Sequence, residues 1–238
     1  MKKYILTLIL ALASLGLYAQ TNRNKTIINA ALHGWEYEIK AGVNLGGTAP
    51  LPFPEEIRSI DGYNPTLSIT IEGNMTKWLD TKKKWGIITG LRLENKGMRT
   101  KATVKNYNME IIGYDGNRLK GNWTGGVRTK VQNSYITIPV LAAYKLSPRT
   151  TLKLGPYFSY LMDGDFSGHV YEGYLRETNP TGDKINFTNG AIATYDFSGD
   201  LRKFQWGVQA GVDWKAFKHL KVHADLNWGL NDISVSYT

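Results

Sequence analysis

The chain has 238 residues with no Cys, 7 Trp, 14 Tyr and 25 Gly, and carries a formal charge of +9 at pH 7. Without Cys, disulfides, thiolate metal sites and Cys nucleophiles are excluded together. The length suits one domain, and the basic residues are dispersed rather than gathered into one contiguous face, so no nucleic-acid partner is expected.

The chain opens MKKYILTLILALASLGLYAQ: Lys2 and Lys3, an apolar run from Tyr4 to Leu17, and Ala19 before Gln20. A basic start, a short apolar run and a small residue at the edge describe a secretory signal peptide over residues 1–19. The mature chain is expected to be exported, with residues 20–34 as a periplasmic N-terminal segment. No later stretch approaches the roughly 18 consecutive apolar residues of a transmembrane helix.

Seven stretches then alternate with period two, the signature of strands with two different environments. Residues 35–45 set Trp35, Tyr37, Ile39, Ala41, Val43 and Leu45 against Glu36, Glu38, Lys40 and Asn44. Residues 66–78 alternate through Leu67, Ile69 and Ile71, and residues 85–97 set Trp85, Ile87, Leu91 and Leu93 against Arg92, Glu94 and Lys96. Residues 135–146 carry Ile136, Ile138, Val140 and Tyr144, and residues 151–161 carry Leu152, Leu154, Phe158 and Tyr160. Residues 204–214 place Phe204, Trp206, Val208, Ala210, Val212 and Trp214 on one face and Gln205, Gln209 and Asp213 on the other. Residues 220–230 alternate Leu220, Val222, Ala224, Leu226 and Trp228 with Lys221, His223, Asp225 and Asn227.

The connectors alternate too. DTKKK, SPRT and KAFKH are short, whereas 46–65, 97–134 and 161–203 are long. Short turns at one end and long loops at the other are the habit of outer-membrane barrels, with the long loops outside the cell. The fold class read from this pattern is all-β: a transmembrane up-and-down antiparallel barrel of eight strands, seven of them clear and the eighth short or truncated. Trp35, Trp85 and Trp214, with Trp78, Tyr144 and Phe217, lie at the short-turn ends of their strands. Trp206 and Trp228, with Tyr135, Tyr160 and Phe204, lie towards the long loops, so the aromatics read as two interfacial girdles. A soluble lipocalin-like barrel is the alternative fold.

With apolar stripes on lipid, the polar stripes fill the lumen, where charges must be paired. Joining Leu79 to Trp85 across DTKKK sets Glu72 opposite Arg92; joining Trp214 to Leu220 across KAFKH sets Asp213 opposite Lys221 and Trp206 opposite Trp228. Residues 96–133 hold eight basic residues against Glu110 and Asp115, and residues 161–203 hold seven acidic ones against four basic. These two loops are expected to attract each other as a lid, with anionic lipopolysaccharide as the alternative partner of the basic excess.

Chemistry is sparse. DGDFSG at 163–168 places Asp163, Asp165 and Ser167 like the start of a calcium loop, but Tyr174 stands where the pattern wants Glu, leaving these three as partial metal candidates. There is no HExxH or GxSxG motif, and His33, His169, His219 and His223 are scattered. No catalytic residue, cofactor or resident metal is expected; His169, with Ser and acidic neighbours, is the starting point of an alternative reading as a rim-active enzyme.

YITIPVLAAYKL followed by LKLGPYFSYLMDGDFSG resembles the PorT-type outer-membrane β-barrel family of Bacteroidetes, as do GGTAPLPFPEEIRSIDGYNP, LRLENKGM and DLRKFQWGVQAG. That resemblance implies an eight-stranded barrel in the outer membrane and no catalytic residue; one branch of the family is associated with protein secretion. After Leu230 only NDISVSYT remains, too short for an outer loop and a full strand, so either Ile233, Val235 and Tyr237 form a stub or the chain is truncated. The functional expectation is an outer-membrane barrel with a plugged lumen and loops for surface interaction, in contact with outer-membrane lipid and lipopolysaccharide. An accessory role in secretion or surface assembly, with an envelope protein as partner, is the alternative.

Overall fold

The computed structural model describes residues 34–47, 54–113 and 116–234, apart from the side chains of 189–191. The signal peptide, nearly all of the N-terminal segment and the terminal Val235 and Tyr237 lie outside the described residues. Among the described residues nine strands follow in chain order: β1 (Trp35–Asn44), β2 (Ile57–Thr66), β3 (Ser68–Trp78), β4 (Trp85–Ile112), β5 (Arg118–Lys145), β6 (Thr150–Glu177), β7 (Lys184–Asp196), β8 (Phe204–Lys215) and β9 (Lys221–Gly229). They form one antiparallel sheet in the order β1-β3-β4-β5-β6-β8-β9, with β2 added on β4 and β7 bridging β6 and β4.

The sheet curls until its first and last strands meet through side chains. Lys221 of β9 reaches Glu38 of β1 at 2.7 Å, and Lys40 of β1 reaches Asp213 of β8 at 3.4 Å. Among the described residues β1 and β9 share no backbone ladder, and seven strands line the barrel where eight were expected. Ile233 does not begin an eighth: its carbonyl accepts from the Arg202 amide at 2.8 Å, and Ser234 bridges Leu201, so this segment runs beside the entrance to β8.

The largest departure from the sequence reading concerns the loops. Stretches 97–134 and 161–203 are strand for most of their length, because β4, β5 and β6 each run to 28 residues. About ten residues cross a bilayer, so these strands continue far beyond it. Stretch 46–65 likewise contains β2, paired with β4 from Thr66–Gly97 to Ile57–Val104.

On the way, the strands turn inside out chemically without turning physically. Along β4, Ile87, Leu91 and Leu93 point outward and Arg92 and Glu94 are buried; further on, Arg99 and Lys101 point outward and Met98 and Val104 are buried. The β4–β5 register runs unbroken through this change, from Arg92–Thr137 to Val104–Gly125. β5 does the same, with Ile138 and Val140 outward and Thr137 inward, then Arg128 outward and Val127 and Val131 inward. Since the backbone keeps its alternation, the environment must change: lipid outside and polar groups within give way to water outside and an apolar core within.

That core comprises Val104, Met109, Ile111, Trp123, Val127, Val170, Leu175, Phe187, Ala193 and Tyr195. Trp123 is fully buried and meets Phe187 edge-on, ring centroids 5.3 Å apart. Its indole fits because two facing positions lack side chains: a Cβ on Gly173 would lie 2.8 Å, and one on Gly125 3.0 Å, from Trp123 Cζ2. Between Val104 and Tyr107 the register slips at Asn106, which adopts φ 60°, and this bulge flips the alternation so that Met109 and Ile111 also face the core. The bridge between Ile112 and Thr194 joins β7 to β4, so β4, β5, β6 and β7 form a small ring around this core.

Candidate functional site

Inside the membrane-level barrel, two clusters of charge lie on the inward face of the sheet. The short-turn end is organised by Asp213 of β8. Lys153 of β6 donates to it at 2.7 Å and also reaches Asp225 of β9 at 2.8 Å, while Lys40 of β1 approaches at 3.4 Å. Four strands are thereby tied across the interior: β6, β8 and β9, which neighbour one another in the sheet, and β1 from its far edge.

The second cluster is built on the β3–β4 hairpin. Glu72 and Arg92 are cross-strand partners and form an ion pair, and Asn74 donates to Glu72 as well. Arg92 also donates to Gln209 Oε1 at 2.7 Å and lies 3.8 Å from Glu94. Glu94 accepts from Thr137 at 2.8 Å and pairs with Lys96 at 3.2 Å; Thr137 in turn meets Ser159 at 2.7 Å. The Lys96 ammonium lies over the rings of Tyr135 and Tyr157 at 5.1 and 5.5 Å. Together the clusters set the cations Lys40, Arg92, Lys96 and Lys153 against the anions Glu72, Glu94, Asp213 and Asp225. The sign balance, with Arg92, Glu94 and Lys153 no more than 3 % exposed, is what burial of charge demands.

Asp213 does not stand opposite Lys221, where the sequence predicts it. The turn closes at Phe217–Leu220, whose backbone groups bond each other, and this brings Lys215 opposite Lys221. The register therefore lies two residues from the one read in the sequence: Asp213 faces His223, and Trp228 faces Val208 instead of Trp206. Lys221, released from that role, pairs with Glu38.

Trp85, Trp206, Trp214 and Trp228 all present exposed rings on the outer face, and Trp35 is half-buried beneath Lys77, 5.3 Å from the ring. Tyr135 and Trp78 do not join them. Both turn inward: Tyr135 accepts from Asn133 and Gln205, and Trp78 packs under Lys145 at 4.6 Å.

Asp163, Asp165 and Ser167 sit at alternate positions along extended β6, opposite Ser134, Gln132 and Lys130, rather than wrapped in a loop. The Asp165 carboxylate is taken by Lys130 at 2.9 Å, and among the described residues no three metal-ligating side chains cluster. The same pair is the one described ion pair between stretches 96–133 and 161–203, so a backbone ladder, not a charged lid, joins them. His169 faces Arg128 and lies tilted beside the Tyr171 ring, centroids 6.2 Å apart; burial, then the Arg128 charge, lowers its pKa, and no described hydrogen bond links it to Ser167 or to a carboxylate.

An antiparallel sheet with lipid-compatible aromatics outside and balanced charge inside is the architecture of a membrane-spanning barrel. A family model described as "Outer membrane protein beta-barrel domain" matches residues 18–235. The chain belongs to this family. It is an outer-membrane β-barrel protein, and its outer-membrane location follows from the same match. Searches of curated proteins and of solved structures each returned no match. In this barrel the lumen partners missed from sequence are Lys40, Glu94, Lys96, Lys153, Gln209 and Asp225; the contacts of Lys40, Lys153 and Gln209 come from strands that no short hairpin turn joins.

Proposed function

We propose that this barrel is a non-catalytic surface protein: its lumen is closed by its own side chains, and the folded extension of β4 to β7 outside the membrane carries its interactions. The observation that supports this most strongly is the balanced set of lumen charges, each engaged with another, which leaves the interior spent on structure. Export through a cleaved signal peptide belongs to the same proposal. The test is a liposome-swelling assay with small sugars, alongside labelling of whole cells carrying Lys120→Cys with an impermeant maleimide. The proposal expects no swelling and strong labelling; sugar entry, or a thiol reached only after lysis, would overturn it.

A second reading, an accessory component of secretion or surface assembly in a PorT-type barrel, rests on β2. This strand pairs only with β4 among the described residues and leaves Ile60 and Tyr63 more than half exposed, the feature of an edge able to accept another strand. Recovery of a stoichiometric envelope protein from solubilised membrane, lost on Ile60→Lys, supports this reading; purification of the barrel alone under mild detergent opposes it.

A further inference from the structure

On the outer face of the extension, cross-strand register stacks cations on cations. Arg99 of β4 stands opposite Lys130 of β5, and one step further out Lys101 stands opposite Arg128. Like charges directly opposite each other are destabilising in a sheet, and this face carries two such pairs in succession. Lys130 is offset by Asp165 at 2.9 Å, and Arg128 lies over the Tyr171 ring at 5.2 Å. Among the described residues no carboxylate pairs with Arg99, Lys101 or Arg128; the nearby Asp61 is held by the Ser59 and Thr103 hydroxyls at 2.6 and 2.7 Å.

The block lies on the same face as the lipid-contacting stripe. Outward positions run Leu93 and Ile136, then Asn95 and Ser134, Gly97 and Gln132, Arg99 and Lys130, and Lys101 and Arg128. At about 3.3 Å per residue and a tilt of about 45°, the two cationic rows stand roughly 14 and 19 Å above the last apolar row. They point sideways, over the headgroups of neighbouring lipid, and not upward into the medium.

We propose that Arg99, Lys101, Arg128 and Lys130 form a binding face for the acidic inner-core saccharide of the lipopolysaccharide packed around the barrel. Its phosphate and carboxylate groups supply the anions that the sheet lacks. Lipid A phosphates lie close to the acyl boundary, below the block, so the core sugars and not the lipid anchor are the ligand. The inference rests on the extension facing outward, as in the functional proposal above.

The test uses the full chain in phosphatidylcholine vesicles doped with either rough-type lipopolysaccharide bearing its inner core or lipid A alone, and counts the glycolipid retained after mild detergent extraction. The wild type is expected to retain core-bearing lipopolysaccharide in a salt-sensitive manner and to retain lipid A poorly. R99Q/K101Q/R128Q is expected to lose affinity by roughly a hundredfold, on the order of fivefold per cation removed near an anionic surface. Equal retention by wild type and variant, equal retention of lipid A and core-bearing lipopolysaccharide, or full displacement by millimolar inorganic phosphate would each overturn the proposal. A heat-dependent gel shift verifies that the variant is folded, with R99K/K101R/R128K as a charge-preserving second variant expected to retain binding. The Lys120→Cys labelling reports orientation separately, so a failure there is distinguishable from a failure to bind.

Discussion

Lys153 and Asp213 meet at 2.7 Å inside the short-turn end of the barrel, 3 % and 4 % exposed, and Lys40 and Asp225 complete a four-charge hub around them. Removing one member of a buried pair strands the other, at a cost of about 3–5 kcal/mol, whereas replacing both by apolar groups of similar size is often neutral. Asp213→Asn strands Lys40, whose described partner it is, while Lys153 keeps Asp225, and is therefore expected to lower the unfolding free energy by that order, read from the fall in urea midpoint. Lys153→Met/Asp213→Leu, leaving Lys40 and Asp225 to face each other, is expected to recover part of the loss. A single variant as stable as wild type would contradict the hub.

The inversion of polarity along β4 makes opposite demands on one strand. Leu91→Arg places a charge in lipid and is expected to cost about 2–4 kcal/mol near the bilayer midplane. Asn108→Arg, exposed on the outer face of β4 beyond the inversion, is expected to stay within about 0.5 kcal/mol, as surface changes do. Equal effects in denaturant unfolding would mean that both positions share one environment.

Trp123 anchors the extension independently of the barrel. Trp123→Ala is expected to cost the extension about 3–5 kcal/mol, and Gly173→Ala to act in the same direction, since its Cβ would stand 2.3 Å from the Thr124 carbonyl oxygen. Limited proteolysis should then cut within 97–134 while the heat-dependent gel shift of the barrel persists. Loss of the gel shift as well would show that the two layers fold as one unit.

Two groups outside the membrane give signed pH predictions. The Asp80 carboxylate accepts the Trp85 and Lys84 amides at 2.8 Å, and those bonds hold its pKa below the ordinary 3.8. Its support of the β3–β4 turn is present above that ordinary value and is lost as pH falls through the folded one, so an NMR titration midpoint at or above 3.8 would contradict the geometry. Burial pushes the Tyr195 phenol up to about 12 despite its bond to Thr129. The extension should therefore lose stability as pH rises from about 10, where an unfolded tyrosine ionises, while the folded phenol stays protonated until about 12.

Seven strands and the Glu72–Arg92 pairing were legible because both follow from local pattern: period-two alternation, and a turn, DTKKK, that closes where the Leu79 amide meets the Trp85 carbonyl. Asp213 was misassigned because the Phe217–Leu220 turn closes more tightly, and a shift of two residues keeps every side chain on its face and leaves no trace in the pattern. The extension was passed over although Met98, Ala102 and Val104 alternate with Arg99, Lys101 and Thr103. The apolar set there occupies the opposite parity from Leu91 and Leu93, so the stretch read as the end of a strand. The hub itself joins β1, β6, β8 and β9 across the lumen, and no count along a single hairpin brings those strands together.

Planar-bilayer recording from the purified, reconstituted barrel tests the central claim most directly. A lumen closed by Lys40, Arg92, Lys96 and Lys153 against four carboxylates is predicted to give a silent trace across the voltage range in 1 M salt. Reproducible unitary steps that scale with salt concentration would show an open water path and contradict it.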